Sequence, residues 1–486
     1  MIQICDPKMK LQLRLLLIPL VLLGFWVLFL ELQRRPGLFA NTKYLGAILA
    51  LEVVLACLWR FDKVFFPVTM GCFLLAGTSL PFAGESTTVR WLFLGVGGVV
   101  GLVIWMNANR AHHFGLFHLV ALFCVLAAMA SASASSVPQT ALLKVMSLFL
   151  LFLYASTGGR VALGGHEASF LRGLILACEV LVYISAACYL ALSYDLFGNY
   201  NALGAIIGVG VTPVLLWAAL VAESRGERKR RYIALALCGA LLYVSVCRAA
   251  ILADTFVIIA LTVALRRPGL LLKAAFIGAL FLEGMAVANP AHMSAFVGSL
   301  TERLVFKGGR DQSHPGVFGS RETPWEETIS AVKHHPYFGT GFGTSDLGND
   351  KSYTQGTSFS DEGTNREHGD SYLALVEYMG LLGILPFLFL LLLLIRASAR
   401  VFAWMRRTGS PYNYAVPFAL IVVAGLVHAI FEDWLLAVGS YLCVFFWVAA
   451  FLLIDGASEI DAGRRGYVSK PLVAFAPAQA PGRPAA

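Results

Sequence analysis

Long apolar runs alternate with short polar connections along almost the whole chain. Runs of membrane-crossing character fall at 11–30, 44–59, 64–82, 91–106, 114–134, 138–156, 169–192, 200–222, 231–247, 249–266, 269–288, 371–395, 412–433 and 434–454. A helix needs about 20 mostly apolar residues to cross the hydrocarbon core. Several of these runs are short or abut a neighbour, so the pattern predicts about 12 to 14 spans. One long polar segment interrupts it. That segment divides the chain into an N-terminal bundle at 1–288, a loop at 289–370, C-terminal spans over 371–454, and a tail at 455–486. The tail is Pro/Ala-rich, lacks apolar periodicity and is expected to be disordered.

Composition narrows the class further. Hydrophobic residues make up 58% and charged residues 14%, and mean hydropathy is +0.73. These values exclude an ordinary soluble protein and indicate an all-α polytopic membrane protein. The first run is followed by Glu31-Leu32-Gln33-Arg34-Arg35 rather than by a small-residue cleavage site, so it reads as a span and not a signal peptide. Nine cysteines lie mostly inside spans and form no CxxC pair, which indicates neither a disulfide framework nor a zinc site.

Charge sets the expected orientation through the positive-inside rule. With the N-terminus inside, alternation places Arg60/Lys63, Arg110, Arg160/Arg172, Arg225 through Arg231, Arg266/Arg267, Arg396 through Arg407 and Arg464/Arg465 inside. The short outer connections carry few cations, among them Arg90 and Arg248. Both termini then lie inside and the 289–370 loop outside, which in a bacterium means the periplasmic face of the inner membrane. The net charge of +8 is mostly this topology signal and needs no nucleic-acid partner.

Loops longer than about 15 residues are usually functional or disordered. In this one, Thr323-Pro324-Trp325-Glu326 reads as a helix start, with Thr323 as N-cap and a capping-box acid at N3. Trp325, Ile329 and Val332 would share the packed face, and the helix should stop at His334-His335-Pro336. Gly339, Gly341 and Gly343 suit a tight turn or a close approach to a ligand. The loop holds seven Lys or Arg against eleven Asp or Glu, so anion binding there must come from specific arginines. His334-His335 lacks further ligands at metal spacing, and no metal or other cofactor is expected.

Two cations and a histidine are placed for chemistry. Arg248 sits between two apolar runs with almost no connection, where a charge is costly unless it is paired or used. Arg321 lies in the loop just before the expected helix. His368 lies where the loop meets the span beginning near Ser371. Glu52, Glu179, Asp254, Glu283 and Glu377 are further acids inside spans, while Asp195 and Glu432-Asp433 fall at outer span ends, near enough to share a cavity with His368.

Four segments, in order, resemble the family of O-antigen ligases and Wzy-type polysaccharide polymerases. They are Gly198-Asn199-Tyr200-Asn201-Ala202-Leu203, Ser245-Val246-Cys247-Arg248-Ala249-Ala250, Arg321 through Trp325 with His335-Pro336-Tyr337-Phe338-Gly339-Thr340-Gly341-Phe342-Gly343, and Glu367-His368-Gly369-Asp370-Ser371-Tyr372-Leu373 with Glu377-Tyr378-Met379-Gly380-Leu381-Leu382-Gly383. The likeness covers roughly 195–395. It departs at Gly369, where an Asn is common in the family, and in having more spans than the family's usual dozen.

The resemblance implies a GT-C-like, metal-independent, inverting glycosyltransferase whose donor is a glycan on undecaprenyl diphosphate. The acceptor would be lipid A–core for a ligase, or a growing O-antigen or exopolysaccharide for a polymerase, with envelope polysaccharide export proteins as possible partners. Arg248 and Arg321 would then bind the diphosphate, and His368 would accept or orient the proton of the attacking hydroxyl. His335, Tyr372, Asn201 and Asp370 would support them. A transporter or flippase of lipid-linked saccharides is the alternative; it would favour midplane charge clusters and paired broken helices.

Overall fold

The computed structural model describes residues 51–80, 83–107, 114–164, 167–269, 319–345 and 368–461, with isolated positions at 283 and 298. The span expected at 11–30, nearly all of 269–288, most of the loop and the tail beyond Asp461 lie outside these residues. Every regular element among the described residues is a helix. The helices are α1 (Phe66–Ala76), α2 (Ala83–Asn107), α3 (Leu116–Ser133), α4 (Pro138–Ser156), α5 (Gly158–Leu163), α6 (Glu167–Ala186) and α7 (Tyr200–Leu220). They continue as α8 (Arg225–Ser245), α9 (Arg248–Ala264), α10 (Gly319–His334), α11 (Ser371–Thr408), α12 (Ala415–His428) and α13 (Tyr441–Asp461). Seven helical segments among the described residues are long and apolar enough to cross a membrane, and α12 is a shorter apolar helix.

Burial explains the layering. From Leu442 to Leu453, α13 is buried on every side, so it occupies the centre of the bundle against α11, α12 and α4. An all-round apolar helix has no other stable place. On α3, by contrast, Leu119, Leu122, Phe123, Leu126 and Met129 are all exposed, forming the apolar outer face that lipid requires.

Polar connections sort into two groups, as the charge alternation predicts. At one end, Ser79 bonds the Asp195 carbonyl, Arg90 bonds the Gly439 carbonyl, Ser135 pairs with Thr344, and Lys144 reaches the Gly343 carbonyl. At the other end, Arg160 holds Asp455, Trp217 bonds the Pro411 carbonyl, and Arg400 holds Asp461.

Several boundaries differ from the sequence reading, each for a local reason. The runs at 412–433 and 434–454 do not abut. Helix α12 ends at His428 and α13 starts at Tyr441. The intervening amides of Trp434 and Leu435 bond the Ser371 hydroxyl, 3.1 and 3.2 Å away, instead of helical carbonyls. Glu432 and Asp433 therefore sit in a connection rather than at span ends. The last helix continues to Asp461, past the expected tail boundary at 455, because Asp455 is held by Arg160.

The loop helix starts at Gly319, so Thr323 is not its N-cap and Pro324 lies inside it. Proline's fixed φ suits a helix's first turns, and the bond from Arg321 to Glu432 anchors the extra turn. Its buried face is Arg321, Thr328 and Ala331; Ile329 is exposed. The stop at His334 is as expected.

Helix α11 is broken at Gly380, whose φ of 63° and ψ of −178° are not helical. The loop fills the break. The amide of Leu381 bonds the Pro336 carbonyl at 2.8 Å, Leu382 bonds Tyr337, and Thr340 bonds the Glu377 carbonyl at 2.9 Å. Gly339 has φ of 71°, and a Cβ on it would collide with the Glu377 and Tyr378 main chain. A Cβ on Gly380 would in turn collide with Tyr337. Of the glycine run, Gly339 thus closely approaches another main chain, while Gly341 and Gly343 lie against the Ser135 and Lys144 side chains.

Candidate active site

The polar end of the bundle is built from four short stretches. The first is the corner between α8 and α9. Val246 is left-handed, with φ of 54°, a conformation costly for a β-branched residue. It lets α9 begin at Arg248 with no loop. Gly204 and Gly208 on α7 then bring its backbone against Cys247 and Ala250, the close packing that small residues four apart allow. A cation at a helix N-terminus opposes the helix dipole. The Arg248 guanidinium and the start of that helix both favour an anion.

The second stretch is the start of α7. Asn199 is its N-cap and accepts from the Asn201 amide at 2.8 Å. Asn201 lines a cavity of about 490 Å³ together with His428, Glu432, Asp433, Trp434 and Ser440. Trp434 Nε1 donates to His428 Nδ1 at 2.8 Å. Indole can only donate, so His428 carries its proton on Nε2, which lies 3.8 Å from Cys247 Sγ.

The third and fourth stretches, α10 and the start of α11, meet at this cavity's edge. Arg321 Nη2 bonds Glu432 Oε1 at 2.7 Å. Gly369 has φ of 66°, and a Cβ there would strike the Arg321 side chain. Glycine and asparagine are the residues that most readily adopt this backbone. That accounts for the exchange at this position: the conformation is kept, and the space a side chain would take holds Arg321. Asp370 N-caps α11, accepting from the amides of Tyr372 and Leu373 at 2.7 and 3.2 Å, and burial raises its pKa above the ordinary carboxylate range.

His368 is the most enclosed of the expected site residues, with 1% of its side chain exposed. Nδ1 lies 2.8 Å from Asp433 Oδ2 and Nε2 lies 3.2 Å from Glu377 Oε2. The Nδ1 contact is an aligned hydrogen bond, whereas Glu377 is off the Nε2–H direction and attracts mainly as a charge. Glu377 is itself fixed by Ser345 Oγ at 2.6 Å, and Tyr378 packs edge-on to the imidazole. Burial alone would lower the histidine's pKa. The bond to Asp433 and the two negative charges outweigh it and push the value up to about 9. At neutral pH His368 is therefore an imidazolium held between two acids, with neither nitrogen open to a substrate.

Among the other expected residues, Tyr372 donates to the Leu426 carbonyl at 2.7 Å and ties α11 to α12. His335 and His334 are exposed at the end of α10, away from the enclosed imidazolium. Lys144 and the acids Glu432 and Asp433 belong to this end as well. The acid pair was visible in the sequence as a possible cavity lining. Lys144 gave no signal beyond being a charge near a span end.

Residues 233–388 match a family model described as O-antigen ligase. That stretch is similar to O-antigen ligases. The matched stretch includes Arg248, Arg321, His368 and Glu377, while Asn201, Lys144, Glu432 and Asp433 lie outside it. The site is thus completed by residues on both sides of the matched stretch. No curated protein matches the chain. A membrane-embedded enzyme that processes glycans is what the match and the helical bundle support.

Proposed function

We propose that this protein is a bacterial inner-membrane, metal-independent, inverting glycosyltransferase. It moves a glycan from undecaprenyl diphosphate to an acceptor hydroxyl at the periplasmic face. The O-antigen ligase match favours lipid A–core as acceptor. The observation that carries the reading is that Arg321 and the imidazolium of His368 are bonded to Glu432 and Asp433, which line one polar cavity, while Arg248 follows Cys247, which meets the cavity's His428.

Transfer breaks the bond between the anomeric carbon and the diphosphate oxygen, and forms one to the acceptor oxygen from the opposite face. The leaving diphosphate takes the electron pair, so its growing charge must be met. Guanidinium groups do this bidentately, and a preorganised site can contribute several kcal/mol. Glu432 bonds Arg321; the diphosphate takes its place. The acceptor's proton goes to a carboxylate. Asp433 lines the cavity and is 19% exposed, whereas His368 is already protonated. His368 acts by orienting Asp433 and holding the local charge.

A proteoliposome assay with a labelled undecaprenyl-diphosphate-linked glycan and lipid A–core tests the reading. Label should move to lipid A–core, with undecaprenyl diphosphate released in equal amount and no loss in chelator. A product ladder without lipid A–core would mean polymerisation. Movement of intact donor across the bilayer without transfer would support the flippase alternative and overturn the enzyme.

A further inference from the structure

A third arginine stands at the same end of the bundle and was set apart in the sequence only as an exception to the positive-inside pattern. Arg90, near the start of α2, donates from Nη1 to the Gly439 carbonyl at 2.5 Å. Its guanidinium carbon lies 5.8 Å from the Phe73 ring and 5.4 Å from the Trp91 ring. Its Nε is buried without a hydrogen-bond partner, and no acid lies within ion-pair distance among the described residues. Gly439 has no side chain to keep the guanidinium away; a Cβ there would lie 3.2 Å from Arg90 Nη2. Both Phe73 and Gly439 line the polar cavity that also holds Glu432 and Asp433. Arg321 is occupied by an acid, but Arg90 has a charge with only aromatic faces and one carbonyl to meet it. Leaving such a half-buried cation unpaired is costly unless an anion completes it.

The setting says which anion. An apolar groove of about 270 Å³ runs between α1 and α6, lined by Phe66, Met70, Leu74, Phe170, Leu174 and Leu181. Leu74 and Tyr441 line both this groove and the polar cavity. A ligand with its chain in the groove would have its headgroup emerge beside Phe73 and Gly439, two of the residues that Arg90 meets. We infer that Arg90 binds the phosphate of a polyprenyl-linked ligand at the mouth of this groove. It complements the arginines assigned to the diphosphate above, and the lipid enters between α1 and α6. This inference rests on the lipid-linked donor proposed above.

The test is binding of undecaprenyl phosphate to the full-length protein in nanodiscs, with inorganic diphosphate and phosphatidylglycerol as comparison probes. Arg90→Gln keeps a donor for the Gly439 carbonyl and should keep the thermal midpoint, yet weaken undecaprenyl phosphate binding about tenfold. Arg90→Lys should lose less. Leu174→Trp, which fills the groove, should weaken undecaprenyl phosphate while leaving inorganic diphosphate unchanged. Wild-type affinity in Arg90→Gln would overturn the inference, as would an equal loss for phosphatidylglycerol. If the wild-type protein binds no more undecaprenyl phosphate than empty nanodiscs do, the lipid-linked donor itself falls. If it binds and only the Arg90 variants are silent, the donor stands and Arg90 does not.

Discussion

Two of the buried arginine clusters among the described residues, those of Arg160 and Arg321, are finished differently. At one end, Arg160 grips Asp455 with Nε and Nη2, at 2.6 and 2.7 Å, while Nη1 meets His118 Nε2 at 3.1 Å and the Ser156 carbonyl at 3.2 Å. Every donor nitrogen is used, and none of these residues lines the polar cavity. At the other end, Arg321 meets Glu432 through one aligned bond, and His368 shares two acids beside open space. The charge of Arg160 is closed on itself and holds helices together. The charges at the second end can exchange partners, which binding and transfer require.

The sharpest way to break this contrast is at the two histidines. His368→Ala, which leaves Asp433 without the group that orients it, should lower glycan transfer on the order of 10²- to 10³-fold when compared at equal protein abundance. His334→Ala should be mild, since that ring is exposed and bonds its own helix at Ser330. Complementation of a deletion strain, read as glycan ladders on a gel, decides it; full ladders from His368→Ala would move the chemistry elsewhere.

Arg321→Lys comes next. It keeps charge but loses the planar fork, and we expect a loss on the order of 10²-fold in rate with little change in thermal midpoint. Near-wild-type transfer would remove bidentate recognition from the mechanism.

Arg160→Met should do the reverse. It leaves Asp455 buried without a partner and should cost about 3–5 kcal/mol of stability, with normal activity for each folded molecule. Arg160→Met with Asp455→Leu should recover most of that loss. A stable but inactive Arg160→Met protein would put this end into the reaction and erase the contrast.

The smallest effect is in pH. A histidine whose folded pKa is raised from 6.5 to about 9 contributes stability that is complete below 6.5 and is lost as pH rises through 9. Wild-type protein should therefore lose up to about 3 kcal/mol relative to His368→Gln over that window. Parallel stability curves for the two proteins, measured by denaturant unfolding between pH 6 and pH 10, would remove the imidazolium.

What the sequence revealed follows from what its patterns encode. Hydropathy and charge carried the helical class and the sorting of connections to two ends. The polar loop and its arginine and histidine pointed to the end that holds the polar cavity. Pro336 placed the stop at His334, but the capping-box pattern at Thr323 missed the start at Gly319, because that turn depends on Glu432, more than a hundred residues away. The protonated state of His368 was likewise hidden, since it comes from acids on α11 and on the α12–α13 connection. Arg90 is ordinary in sequence; only its neighbours set it apart.

The reciprocal fit of Gly339 and Gly380 limits how this enzyme can be rebuilt. Each glycine occupies space that the other segment's main chain needs, so the loop from Pro336 to Ser345 and the outer turns of α11 form one inheritable part. A chimera that imports a relative's loop to change acceptor choice should fail unless Ser371 through Gly383 travels with it. Swapping both together should give a functional graft, because Glu377 then arrives with the loop hydroxyl that holds it.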